Sequence, residues 1–174
     1  LSILLGMLIL QNAGMAQKDV GYLKVDANPG RTGIFVDDKY LGPAANFRVD
    51  RTYSLSPGQH TLKLTEPRYK DHVTSINIEA GNTTKVKHVM EAVPLPEPPF
   101  GMLHLVKGPH SKFSAVFLNG QFVGHVGEYD NSLQGQLVKP AEYELKVISP
   151  EGQTIHEEKI SIKANQTTSV HLPK

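Results

Sequence analysis

Residues 55–89 read LSPGQHTLKLTEPRYKDHVTSINIEAGNTTKVKHV, and residues 138–172 read VKPAEYELKVISPEGQTIHEEKISIKANQTTSVHL. The second stretch restates the first. Pro57 and Leu62-Lys63-Leu64 correspond to Pro140 and Leu145-Lys146-Val147. Ile76-Asn77-Ile78 and Asn82-Thr83-Thr84 correspond to Ile160-Ser161-Ile162 and Asn165-Gln166-Thr167-Thr168. An internal repeat decides domain count before any other feature is weighed. Further upstream, Gly21-Tyr22-Leu23-Lys24-Val25 returns as Gly101-Met102-Leu103-His104-Leu105, and Leu41-Gly42 returns as Val123-Gly124. The offset grows from 80 to about 84 residues along the pair, so the insertions fall in loops. The expected organisation is a first repeat over 17–91, a proline-rich linker over 92–100 and a second, diverged repeat over 101–174.

The chain has 174 residues, 39% hydrophobic and 20% charged, the composition of an ordinary globular protein. A formal charge of +1 provides neither a counterion-release drive toward nucleic acid nor a polybasic membrane patch. No nucleic-acid partner is therefore expected. Cysteine is absent, which excludes disulfides, iron–sulfur clusters, thiolate zinc sites and the lipid-bearing cysteine of a bacterial lipoprotein. Domains of roughly seventy residues have thin cores. The two units are expected to lean on each other or on a partner.

Leu1 to Leu10, LSILLGMLIL, has the length of a signal-peptide apolar region, and Gly14-Met15-Ala16 fits the small-x-small pattern of a cleavage site. The basic region that normally precedes such a run is missing, so the start reads as trimmed, with cleavage expected after Ala16. A membrane span needs about twenty apolar residues. The expectation is a chain exported to the periplasm, the medium or the cell surface, with no stable transmembrane helix once mature.

Leu23, Val25 and Ala27 alternate with polar neighbours, the period of a strand with one buried face. Asn28-Pro29-Gly30 breaks it, Ile34-Phe35-Val36 forms a second strand, and Asp37-Asp38-Lys39 turns the chain. A carboxylate pair there could bind metal or do acid/base work, but aspartates at such a place are first of all turn formers, tolerant of left-handed dihedrals. Thr61, Lys63 and Thr65 face outward on the strand through Leu62 and Leu64, and Ala80-Gly81-Asn82 is expected to close a hairpin. No segment of the first repeat sustains amphipathic helical spacing over three turns. Short strands between Gly/Pro/Asn turns predict an all-β fold: two tandem small antiparallel β-sandwich domains.

These residues also carry a resemblance. Gly21-x-Leu23-x-Val25, Asn28-Pro29-Gly30, Ile34-x-Val36-Asp37-Asp38 with Gly42-Pro43, Leu55-x-Pro57-Gly58-x-His60-x-Leu62-x-Leu64, and Ile76-x-Ile78-x-x-Gly81-x-Thr83 together resemble the PEGA domain. The signature tetrapeptide itself is degraded to Pro29-Gly30-Arg31-Thr32-Gly33, and in the second repeat Gly58-x-His60 becomes Ala141-x-Tyr143. The resemblance implies a small exported or surface-exposed β-sandwich module of bacteria and archaea, with no established catalytic residues to carry over.

Ala92 to Phe100, AVPLPEPPF, holds four of the twelve prolines and reads as a semi-rigid polyproline II spacer. In the second repeat Asn119-Gly120 is the strongest hairpin signal of the chain.

No nucleophile elbow, phosphate-binding loop or zinc-protease helix occurs. The eight histidines are dispersed, whereas a metal site needs three or four converging groups, so no metal and no other cofactor is expected. His104 is expected to point away from the core, and His60 to serve structure. Asn82-Thr83-Thr84 and Asn165-Gln166-Thr167 fit a glycosylation pattern, but Asn and Thr occur at turns for conformational reasons. Carbohydrate platforms favour aromatic faces, and the chain has no Trp and 7% aromatics. The available rings, among them Tyr40, Tyr69, Phe122 and Tyr143, serve packing first. The loop His125 to Gly135, HVGEYDNSLQG, is the place to look for a ligand, at Tyr129, Asp130 and Asn131. The leading expectation is a non-catalytic structural or interaction module of the cell envelope, with an envelope protein or polysaccharide as partner. A carbohydrate-binding module is the alternative, and a small secreted hydrolase ranks third.

Overall fold

Leu23, Val25 and Ala27 are completely buried while Asp26 and Asn28 are exposed, so the strand β1 (Gly21–Asn28) has the one-sided burial its alternation predicts. The computed structural model describes residues 20–47, 51–94, 96–106, 108, 111–130 and 135–173. The expected signal segment 1–16 and its cleavage point lie outside the described residues. None of the described helices is long and apolar enough to cross a membrane.

After β1 come β2 (Gly33–Val36), β3 (Lys39–Pro43), a 3-10 turn (Ala44–Phe47), β4 (Tyr53–Leu55), β5 (Gly58–Thr65), β6 (His72–Ile78) and β7 (Thr83–Val89). The second unit repeats this series as β8 (Gly101–Val106), β9 (Ala115–Leu118), β10 (Gln121–His125), the one-turn helix α1 (Val126–Tyr129), β11 (Gln136–Val138), β12 (Ala141–Ile148), β13 (Thr154–Ile162) and β14 (Thr167–His171). Sheet order repeats as well. Orders β4-β1-β7 and β3-β2-β5-β6 in the first unit become β11-β8-β14 and β10-β9-β12-β13 in the second. The offset is 80 at the first strand (21 to 101), 82 at the second (33 to 115) and 84 at the last (83 to 167), and it changes only between strands.

Each unit is thus a small sandwich of one three-stranded and one four-stranded sheet. Leu62 and Leu64 are fully buried between the sheets of the first unit, and Leu145 and Val147 take their places in the second. Each such side chain contributes about 1.5–3 kcal/mol by leaving water.

Two features depart from a simple antiparallel meander. The stretch Ala80-Gly81-Asn82 does not close a hairpin: β6 pairs with β5, whereas β7 pairs with β1 in the opposite sheet. The turn is an arch between sheets, so β7 arrives parallel to β1, and β14 parallel to β8. The threonine of each Asn-Thr motif pins the arch. Thr84 Oγ1 donates to the Asn77 carbonyl at 2.9 Å, and Thr168 Oγ1 donates to Ser161 at 2.9 Å.

Glycine at the head of each unit has a steric cause. A Cβ at Gly21 would stand 2.3 Å from the Glu79 carbonyl oxygen, and one at Gly101 would stand 2.3 Å from that of Lys163. The arch passes too close to β1 and β8 for any side chain. The β2–β3 turn is the expected hairpin, with φ of 49° at Asp37 and 62° at Asp38, and Asn119-Gly120 repeats it at 50° and 76°.

Candidate functional site

Burial singles out β2, whose four residues are all buried, although a sheet face normally leaves alternate positions in water. Ile34 and Val36 face the first core. Phe35 points the other way, against the second unit. Thr65, expected outward, is 6% exposed on β5 beside it. The outer face of β2–β3 therefore meets the outer face of β9–β10. Phe35, Tyr40, Ala115 and Phe122 form a third apolar cluster, with Phe117 packed against it. Phe35 lies edge-on to Phe122 at 5.8 Å between centroids and to Phe117 at 6.2 Å. Such pairs add about 0.5–1.5 kcal/mol each beyond area burial. Tyr40 donates its hydroxyl to the Phe113 carbonyl at 2.9 Å, and burial holds its phenol far above the ordinary pKa, with Glu128 adding to the effect.

Charge reinforces the apolar contact. Glu66 is 1% exposed, and Arg31 Nε and Arg68 Nε both donate to its Oε1 at 2.9 Å, while the Arg68 backbone N–H donates to Oε2 at 2.8 Å. Burial alone would raise the Glu66 pKa, but the hydrogen bonds from the Arg68 side chain and backbone and from Arg31 overcome it, leaving the carboxyl below its usual range. Arg68 Nη2 also reaches Glu128 of the second unit at 3.4 Å. Glu128 Oε1 in turn accepts from the His125 backbone N–H at 3.0 Å and lies 3.1 Å from His125 Nδ1. Arg31, Glu66, Arg68, Glu128 and His125 thus form one chain of contacts across the units. The linker joins in: Val93 N–H donates to the Arg68 carbonyl at 2.9 Å, Lys139 Nζ donates to the Glu97 carbonyl, and Lys139 lies over the Phe100 ring at 4.9 Å.

A groove follows this seam. One end, of about 270 Å³, is lined by Arg68, Gln121, Glu128, Tyr129, Gln136 and Tyr143 among others. The other end, of about 240 Å³, shares Pro67 and Gln121 with it and extends to Lys63, Tyr69 and Asp71, where Lys63 and Asp71 pair at 3.0 Å. A third hollow of about 220 Å³ opens beside Arg31, Lys112, Phe113 and His125.

Of the ligand-loop residues singled out in the sequence, Tyr129 lines the groove but is only 3% exposed, its ring within the second core and its hydroxyl donating to the Val123 carbonyl at 2.7 Å. Phe47 stands at the same place in the first unit, at an offset of 82, and is also buried. Asp130 is half-buried and closes the helical turn, its N–H donating to the Val126 carbonyl at 3.1 Å. Asn131 lies outside the described residues. The expected open loop thus begins as structure: His125 ends β10, and Val126 to Tyr129 form α1 with Glu128 capping its start. Tyr40 and Phe122 are sealed in the seam, Tyr69 and Tyr143 keep edges on the groove, and His104 faces away from the core, half-buried.

The Asp37 carboxylate acts within the fold. Oδ1 accepts from Thr61 N–H at 2.9 Å and Oδ2 lies 2.6 Å from His60 Nδ1, while His60 Nε2 lies 2.8 Å from the Ser56 carbonyl. The charged cluster of Arg31, Glu66, Arg68 and Glu128 has no counterpart in the sequence reading. Its members come from two loops and the helix α1 at no regular spacing, and Pro67-Arg68-Tyr69 reads only as a strand break.

Residues 20–94 match the family model of the PEGA domain. Among solved structures, the Bacillus anthracis TIE protein is similar at 18% identity and a TM-score of 0.31, over 88% of this chain and 34% of that one. The chain therefore spans about a third of that protein's length. No curated protein matches the sequence.

Proposed function

We propose, from the PEGA-domain match over residues 20–94 and the fixed seating of the two units, that this protein is a non-catalytic, exported module of the cell envelope or surface. Its work is structural: it presents a rigid two-unit body to an envelope partner. The observation that carries this reading is the seam itself. Aromatic contact, the Arg68–Glu128 pair and the stitched linker hold the two sandwiches in one orientation, which preorganises whatever surface they jointly present. The PEGA match supports export, because that domain type belongs to exported proteins.

Two measurements test it. Fractionation should find the chain beginning at Gln17 in the periplasm or medium; full-length protein confined to the cytosol would sink the export half. Pull-down from envelope extract should capture a discrete partner with the native chain and lose it when Arg68→Ala and Glu128→Ala together loosen the seam. Equal capture by both chains refutes the two-unit body as the functional element.

A polysaccharide partner is the second reading, favoured by the groove's Gln121 and Gln136 amides beside the Tyr143 edge, with Tyr129 at its wall and Asp130 next to it in the chain. Glycan-array binding that disappears in Gln136→Ala, with the fold intact, would select it.

A further inference from the structure

The contact between the units is close to symmetric. Phe35 and Phe117 occupy the same position in their units, at an offset of 82, and so do Tyr40 and Phe122. Each meets its own counterpart: Phe35 faces Phe117 at 6.2 Å, and Tyr40 faces Phe122 at 6.3 Å. Equivalent residues touching each other is the mark of an isologous contact, here approximately two-fold, since the Phe35–Phe122 pair at 5.8 Å has no Tyr40–Phe117 mate. The backbone around it corresponds too. Thr32 N–H donates to the Pro29 carbonyl at 3.0 Å and Ser114 N–H to Ser111 at 2.9 Å; Ala44 N–H donates to Thr32 at 2.9 Å and Val126 N–H to Ser114 at 3.0 Å.

We propose that the Phe35–Tyr40 face of the first unit is a homotypic docking surface whose partner is the same face of a second copy of this chain, and that the second unit occupies it in the monomer. The substitution needed to turn the internal contact into one between copies is small. Phe117 would become Phe35, with no change at all. Phe122 would become Tyr40, gaining one hydroxyl, and Ala115 would become Gly33, losing one methyl. The added hydroxyl has an acceptor available. Tyr40 now donates to the Phe113 carbonyl, and Arg31 stands at the equivalent backbone position at the same offset.

Two features keep the contact internal in the native chain. The tether over residues 92–100 makes the second unit a partner at high effective concentration. The Arg68–Glu128 pair adds a cross-unit contact specific to this pairing, because Asn46 stands in the first unit where Glu128 stands in the second. Removing the second unit's half of the seam leaves the first unit's face open to its like.

The test uses the full chain. In Phe117→Asp/Phe122→Asp the second unit can no longer cover Phe35 and Tyr40, and light scattering should show a discrete doubling of molar mass. Adding Phe35→Asp should return the mass to that of one chain. A monomeric double variant that keeps the β-sheet circular-dichroism signal overturns the proposal, as does a dimer that survives Phe35→Asp, or polydisperse association without a discrete dimer. Should the double variant fail to fold, Phe122→Asp alone with Arg68→Ala gives the same reading with less disturbance of the second unit.

Discussion

His60 and Tyr143 stand at the same position in the two units, and each bonds to the carbonyl four residues upstream, His60 Nε2 to Ser56 at 2.8 Å and Tyr143 Oη to Lys139 at 2.9 Å. The second unit keeps the bond and replaces the ring. It also replaces Asp37 by Asn119, whose Oδ1 accepts from Glu144 N–H at 2.8 Å as Asp37 Oδ1 accepts from Thr61. The same hairpin pin is ionisable in one unit and neutral in the other.

The first prediction follows from that difference. The hydrogen bond to Asp37, then the one to the Ser56 carbonyl, raises the His60 pKa above its ordinary 6.5, and the same His60 contact lowers that of Asp37 below 3.8. The His60 contribution to stability is complete below pH 6.5 and is lost as pH rises through the folded value; that of Asp37 is present above 3.8 and lost as pH falls through its folded value. NMR titration should place the His60 midpoint above 6.5, and Asp37→Asn should bring it back toward that value. His60→Tyr should keep the carbonyl bond and abolish this part of the pH dependence.

His72 and His88 give the opposite sign. Their rings stack at 3.8 Å with 17° between planes, across the two sheets of the first unit. Burial, then the nearby charge of His72, lowers the His88 pKa below 6.5, so its contribution is complete above that value and is lost as pH falls through the folded value. His88→Phe should flatten the acid limb of a stability–pH curve measured by thermal melting, while leaving the limb above pH 6.5 unchanged.

Gly21→Ala and Gly101→Ala should each destabilise by about 1–3 kcal/mol, the cost of forcing an overpacked contact to move. In both cases the obstacle is a backbone carbonyl 2.3 Å from the new Cβ, which cannot swing away as a side chain can. Urea midpoints of the two variants should fall together. A Gly101→Ala chain as stable as the native one would show that the arch of the second unit passes farther from β8.

Tyr129→Phe recreates in the second unit the ring that Phe47 supplies in the first, losing one hydrogen bond to the Val123 carbonyl for about 1 kcal/mol. Tyr129→Ala should cost about 3–5 kcal/mol by opening the second core. Denaturant unfolding separates the two. Any ligand binding lost in Tyr129→Ala but kept in Tyr129→Phe then reflects the fold and not the phenol.

Glu66→Gln removes the charge that two arginines share at a site 1% exposed. The arginines keep 42% and 40% of their side-chain surface in water, so the loss should be about 1–3 kcal/mol, below the 3–5 of a fully enclosed pair. The variant should also weaken the seam, because Arg68 loses the partner that orients it toward Glu128. Faster amide exchange at Tyr40 and Ala115 would report that loosening.

The strands, their alternation and the repeat were legible because each depends on residues close in sequence. Leu23, Val25 and Ala27 announce a buried face by period alone, and Asp37-Asp38 and Asn119-Gly120 announce their turns by the dihedrals those residues tolerate. At Tyr129 the local pattern does not show the burial. Polar neighbours at Glu128 and Asp130 read as a loop, whereas a single turn of helix buries the ring between them. The arch at Ala80-Gly81-Asn82 has the composition of a hairpin, and which strand β7 joins is decided by the other end of the unit.

By itself, the sequence determined an all-β chain with one module written twice, since periodicity and turn chemistry act over a few residues and survive divergence. Only the tertiary structure decided that Phe35 faces Phe117, that Glu66 gathers Arg31 and Arg68, and that Arg68 reaches Glu128. Apart from Glu66–Arg68, those contacts join residues 35, 60 and 82 positions apart. Their energy comes from desolvated rings and charges brought together by the packing of two finished sandwiches, and a linear pattern carries no record of which faces meet.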